Sequence, residues 1–132
     1  MSTRFNPREG LVVVRARLRG PSRTVELRMA IDTGATSTLI SHAMLTAAGY
    51  DPATSPEEIE MVTGSGTESA SVIRVQSLRA IGKQMRKLSL VAHTLPPTAR
   101  IDGVIGLDFL RGEKLTIDFV AGSITLGSRR TK

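Results

Sequence analysis

The sequence has no cysteine. Disulfides, thiolate metal sites and cysteine nucleophiles are therefore excluded together. Tryptophan is absent too, and there are only one tyrosine and three phenylalanines. Few aromatic platforms remain on which single-stranded bases could stack. Histidine is limited to His42 and His93, which leaves little room for a zinc site built on imidazoles. A Ser-His-Asp triad stays formally open with either one. No apolar run approaches the roughly 18 residues of a membrane span, and the first, Leu11 to Val14, ends at Arg15. The N-terminus lacks the apolar stretch of a secretory signal. A cytoplasmic protein, or a soluble domain of a longer one, is the expectation, with no membrane partner.

What is present is ordinary for a globular protein: 132 residues, 40% hydrophobic, 23% charged. That length suits one domain, 1–132, with its core at about 11–126. The net charge is +6 and mostly arginine. Apart from one row, Arg15, Arg17 and Arg19, the basic residues are scattered along the chain. Scatter favours solubility over nucleic-acid binding. The row itself reads as a device against strand-edge pairing if its face is solvated, or as a preference for acidic peptides if it lines a cleft. His42 and His93 read as surface or satisfied residues. The methionines read as gap-filling core, Met61 excepted.

Apolar residues recur with period two almost throughout. Val12 to Leu18 and Val25 to Ile31 read as a hairpin around Gly20-Pro21-Ser22, its second strand ending at Asp32. Ser41 to Gly49 is the best helix, with Ser41 as cap and Gly49 as stop. Tyr50 to Pro56 reads as a loop. Ile59 to Thr63 and Thr67 to Leu78 form a long hairpin with a Gly64-Ser65-Gly66 tip. No Lys-Ser/Thr follows that tip, which argues against a phosphate loop. Leu88 to Ala92, Leu115 to Phe119 and Ile124 to Leu126 complete the strand pattern. Ile101 to Ile105 is apolar apart from Asp102 and Gly103, Gly106 follows it, and Leu107 to Leu110 reads as one helical turn. The expected fold is all-β, a small closed barrel-like lobe with one or two short helices.

The segment Ala30-Ile31-Asp32-Thr33-Gly34-Ala35-Thr36-Ser37 carries the chemistry. An apolar strand runs straight into an acid, a hydroxyl and a glycine. Such a loop can hold one carboxylate rigidly in a cleft; it could also be a simple Asx or ST turn. Some 70 residues later comes Val104-Ile105-Gly106, and between them lies the Gly-Ser-Gly hairpin. In this order and combination the chain resembles the retropepsin-like, single-lobe aspartic proteases over roughly Leu11 to Leu126.

The resemblance implies a role for each matching residue. Asp32 would be the catalytic aspartate. Thr33 would hydrogen-bond across to a partner's matching loop, and Gly34 would let the two loops approach, with Ala35 completing the loop. Met61, Val62, Thr63, Gly64, Ser65, Gly66 and Thr67 would form the flap that closes over substrate. Val104, Ile105 and Gly106 would thread beside the active loop. The specificity pocket is expected to be apolar, lined by Met61, Val62, Ile105 and Leu95. Aspartic chemistry needs two carboxylates sharing a proton, yet none of Asp51, Asp102, Asp108 and Asp118 repeats the motif. A homodimer with the site on its axis is therefore expected, hydrolysing protein or peptide substrates without metal or cofactor. Ala35 stands where a serine could donate to the carboxylate, so activity nearer neutral pH than in pepsin-like enzymes is expected. The alternative is a catalytically silent dimeric peptide-binding domain of the same fold.

Overall fold

A computed structural model describes residues 2–128. In chain order the elements are β1 (Ser2–Arg4), β2 (Val13–Arg19), β3 (Thr24–Ile31), β4 (Leu39–Ser41), α1 (His42–Ala48), β5 (Glu58–Thr63), β6 (Gly66–Arg74), β7 (Ser77–Ala80), β8 (Lys83–Arg86), β9 (Ser89–His93), β10 (Gly103–Ile105), α2 (Leu107–Leu110), β11 (Glu113–Asp118) and β12 (Ser123–Ser128). A nine-stranded sheet has the order β5-β6-β9-β4-β10-β3-β2-β7-β8, and a three-stranded one the order β1-β12-β11. The lobe is mostly β, as the alternating pattern requires.

The β2–β3 hairpin shows how the pattern acts. Val14, Ala16 and Leu18 turn inward while Arg15, Arg17 and Arg19 stay in water, and Leu27 and Met29 meet them from β3. These side chains join Ile40, Leu45, Leu78, Leu90, Ile105, Phe109 and Ile124 in one core. Each fully buried large side chain contributes roughly 1.5–3 kcal/mol. Helix α1 lies where the sequence places it. The Ser41 hydroxyl accepts from the Met44 N–H, and Gly49, at φ 107°, ends the helix in a left-handed turn that a side chain would strain.

Several features differ from the sequence reading. The run from Thr67 to Leu78 is two strands. It breaks at Val75-Gln76, where Val75 N–H bonds Leu88 O and Gln76 N–H bonds the Tyr50 hydroxyl at 2.7 Å. That hydroxyl in turn donates to Arg19 O at 2.5 Å. Burial raises the Tyr50 pKa, against the opposing pull of the Gln76 N–H. Burial alternation continues across the break, so only the change of pairing partner, from β9 to β2, marks it. The loop Tyr50 to Pro56 contains a short 3-10 turn, Pro52–Thr54, capped by Asp51. Phe119 belongs to the turn after β11 and is exposed. Strand β2 is paired on both sides, with β3 and β7. Its arginine row therefore guards no edge.

The feature that builds the site is a crossing. Strands β3 and β4 are consecutive in the chain, but β10 lies between them, parallel to β3 and antiparallel to β4. The connection from Asp32 to Thr38 must therefore pass over the end of β10.

Candidate active site

Asp32 leaves the end of β3 with its carboxylate exposed. Its N–H bonds Ile105 O at 3.0 Å. Its Oδ1 accepts the Gly34 N–H at 2.9 Å, and its carbonyl accepts the Ala35 N–H at 3.1 Å. The loop so formed is bolted to the segment after β10. Leu107 N–H bonds Ala35 O at 2.8 Å, and Asp108 N–H bonds Thr36 O at 3.2 Å. Gly106 passes directly beneath: a Cβ there would lie 2.7 Å from the Ser37 carbonyl and 2.8 Å from Ala35 O. Only glycine permits that approach.

The far end of the loop is held by Thr38, which is fully buried. Its N–H donates to both Asp108 oxygens at 2.9 Å, and its hydroxyl donates to Asp108 Oδ1 at 2.7 Å. The same hydroxyl accepts the Gly106 N–H at 3.2 Å. These are charge-assisted bonds in a part-buried setting, stronger than neutral ones. Helix α2, which carries Asp108, is fixed at its other end by Lys83, whose Nζ donates to Phe109 O at 2.7 Å.

Over Asp32 lies an open hollow of about 610 Å³. Asp32, Gly34, Ala35, Thr36 and Ser37 line its floor; Leu39, Val91, Leu95 and Val104 line its walls. Ile59, Glu60, Met61 and Val62 approach from the β5–β6 hairpin. That hairpin turns at Gly64-Ser65, where Thr63 pairs with Gly66. Its free part is exposed, Val62 to 87%. Glu68 on β6 meets His93 on β9 at 3.0 Å.

The geometry is that of one fixed carboxylate under a hairpin cover. A sequence model of the "gag-polyprotein putative aspartyl protease" family matches residues 22–112. The chain belongs to that aspartyl protease family. Its lobe is retropepsin-like: a crystal structure of a retropepsin-like aspartic protease from Rickettsia conorii superposes with a TM-score of 0.73. The match covers 97% of this chain and 89% of that one, at 19% identity. A search of curated proteins with the sequence found no match.

In this retropepsin-like lobe the motif residues are brought together. Asp32, Gly34 and Ala35 sit on the floor of the hollow, with Val104 in its wall. Gly106 is packed under the loop. Thr33 is exposed, and its side chain makes no hydrogen bond among the described residues. Met61 and Val62 reach the hollow from the hairpin, Gly64, Ser65, Gly66 and Thr67 lie at or beside its tip, and only the backbone of Thr63 is described. One lining residue is corrected. Ile105 turns into the core, fully buried, and its neighbour Val104 takes the wall instead. In a strand, adjacent residues face opposite sides, and the apolar pair alone does not reveal which faces in.

Three residues of the site escaped sequence reasoning. Thr38 and Asp108 form the anchor of the loop; the only signal was a buried hydroxyl position and an acid in the first turn of α2. Glu60 brings a second carboxylate to the hollow, from the cover, with no hydrogen bond or ion pair to Asp32 among the described residues. No group of three or more His, Asp or Glu side chains suited to a metal is formed among the described residues. No helix there is long and apolar enough to cross a membrane.

Proposed function

We propose that the chain is an aspartic endopeptidase working as a homodimer, its site completed by one Asp32 from each subunit. The observation that carries this reading is the Asp32 loop: one exposed carboxylate, rigidly held, on the floor of a hollow with an apolar wall and a hairpin cover. One lobe supplies one such acid. Two of them, about 3 Å apart, would share a proton and split into a base and an acid.

In this mechanism one Asp32 takes a proton from a bound water, which attacks the scissile carbonyl. The other donates the shared proton to the carbonyl oxygen; as the resulting diol collapses it takes that proton back, while the first passes the water's proton to the leaving amine. No covalent intermediate forms. The exposed, unengaged Thr33 hydroxyl is free to meet the partner's loop, and Gly34 leaves that approach open. The hairpin from Met61 to Thr67 acts as the flap. Met61, Leu95 and Val104 favour substrates with apolar side chains beside the scissile bond.

The alternative is a dimeric peptide-binding domain of the same fold without turnover. Cleavage of a diverse peptide library by wild type and by Asp32→Asn separates them. The reading requires that Asp32→Asn lose about 1,000-fold or more in rate, and that wild-type specific activity rise with protein concentration. Equal behaviour of the two proteins would favour the silent binding domain.

A further inference from the structure

The arginine row on β2 lines no part of the hollow over Asp32 and guards no edge. It is the middle of a larger array. Arg17 on β2 stands directly opposite Arg79 on β7, and Arg19 stands opposite Ser77, whose next neighbour across is Arg86 on β8. Arg15, Arg17, Arg19, Arg79 and Arg86 thus share one exposed sheet face. A shallow hollow of about 190 Å³ lies among Arg15, Arg17 and Arg79.

The compensation for this charge is slight. Glu26 approaches Arg15 at 3.6 Å and Arg17 at 3.9 Å, both exposed pairs worth little. No carboxylate among the described residues pairs with Arg19, Arg79 or Arg86. Like charges placed directly opposite across a sheet are destabilising. The fold carries that cost at Arg17–Arg79 with only the exposed Glu26, opposite Arg17 on β3, in return.

We propose that this face docks the sugar-phosphate backbone of a duplex nucleic acid without reading its sequence. The array is two-dimensional, with arginines about 7 Å apart along β2 and strands about 5 Å apart. A broad, flat cationic patch suits a rigid polyanion of high charge density, bound through phosphate contacts alone. Guanidinium forks match phosphate oxygens better than ammonium groups do. The face has no aromatic residue, so single-stranded bases find no stacking platform. An acidic peptide would find there only the one shallow hollow among Arg15, Arg17 and Arg79, which Glu26 also lines. Docking is independent of whether Asp32 cleaves peptides.

The test is anisotropy of a labelled random-sequence duplex of about 30 base pairs with the full chain, titrated between about 50 and 200 mM salt. The proposal requires a log–log salt slope near −4, reflecting about four to five phosphates. The triple variant Arg17→Gln, Arg19→Gln, Arg79→Gln should bind at least about tenfold more weakly, with the slope flattened by about 3. It should melt no lower than wild type, because an opposition of like charges is removed. A control of equal charge loss away from this face, Arg4→Gln, Arg111→Gln, Lys114→Gln, should keep most of the affinity. Equal weakening by both triples would reduce the effect to net charge and overturn the proposal. So would absence of binding at the lowest salt. Displacement of the duplex by polyglutamate at equal charge concentration would overturn it in favour of an acidic polypeptide partner.

Discussion

The loop from Asp32 to Thr38 and the hairpin from Ile59 to Ala70 face each other across one hollow. The loop is held from below on every side: by Ile105, by Leu107 and Asp108, and by Val91, whose N–H bonds Thr38 O at 2.9 Å. The hairpin is paired to the rest of the sheet only from Ser71 onward; Gly66 to Ala70 pair with β5 alone. An isolated two-stranded hairpin is marginally stable in water. Under the proposed function, the lobe would combine an acid that cannot wander with a cover that lifts. Function on the loop side should depend on placement, and on the hairpin side on the open–closed balance.

That contrast breaks most visibly at Asp108. Asp108→Ala leaves the buried Thr38 N–H and hydroxyl without their acceptor, at about 2–4 kcal/mol for the two groups. Urea unfolding should show that loss, and kcat should fall more than KM rises. A loss under about 1 kcal/mol would mean that the loop is held chiefly by its backbone bonds.

A smaller effect is expected at the cover. Glu68→Gln removes the charge that meets His93 at 3.0 Å. Half of the Glu68 side chain is exposed, so the tie is worth about 1 kcal/mol at most. KM for a cleaved peptide should rise about two- to fivefold, with kcat and the unfolding midpoint nearly unchanged. A fall in kcat alone would place Glu68 in the loop's support and dissolve the distinction.

The smallest expected change sharpens the loop side. Ala35 lies on the floor beside Asp32. Ala35→Ser adds a donor that favours the ionised carboxylate pair. The acid limb of the rate profile should move to lower pH, by about one unit or less, while KM stays constant. A move to higher pH would show the hydroxyl bonding elsewhere.

Much of the lobe was legible because its signals are local. The β2–β3 hairpin, the capped helix α1, the glycine turn of the β5–β6 hairpin and the Asp32 motif each declare themselves within a few residues. What escaped is relational. Strands β1, β4 and β8 are three or four residues long and have no period to display. The break at Val75-Gln76 keeps the apolar alternation and changes only the partner strand. The choice between Val104 and Ile105 for the wall depends on which face of β10 meets the core. Thr38 and Asp108 are 70 residues apart, and neither is unusual by itself. The arginines of β2, β7 and β8 are scattered in sequence and adjacent only after pairing.

The crossing of β10 between β3 and β4 also has a temporal meaning. The Arg28 N–H and its acceptor Asp102 are 74 residues apart, and the bonds that fix the Asp32 loop span nearly as far. Contacts of such separation form only after a large loop closes, so they come late in folding. A chain emerging from the ribosome therefore has its motif long before it has its site. Until residues 103–110 are synthesised and inserted, Asp32 is an acid on an unsupported turn. Any proteolytic competence is withheld from the nascent polypeptide by topology until then.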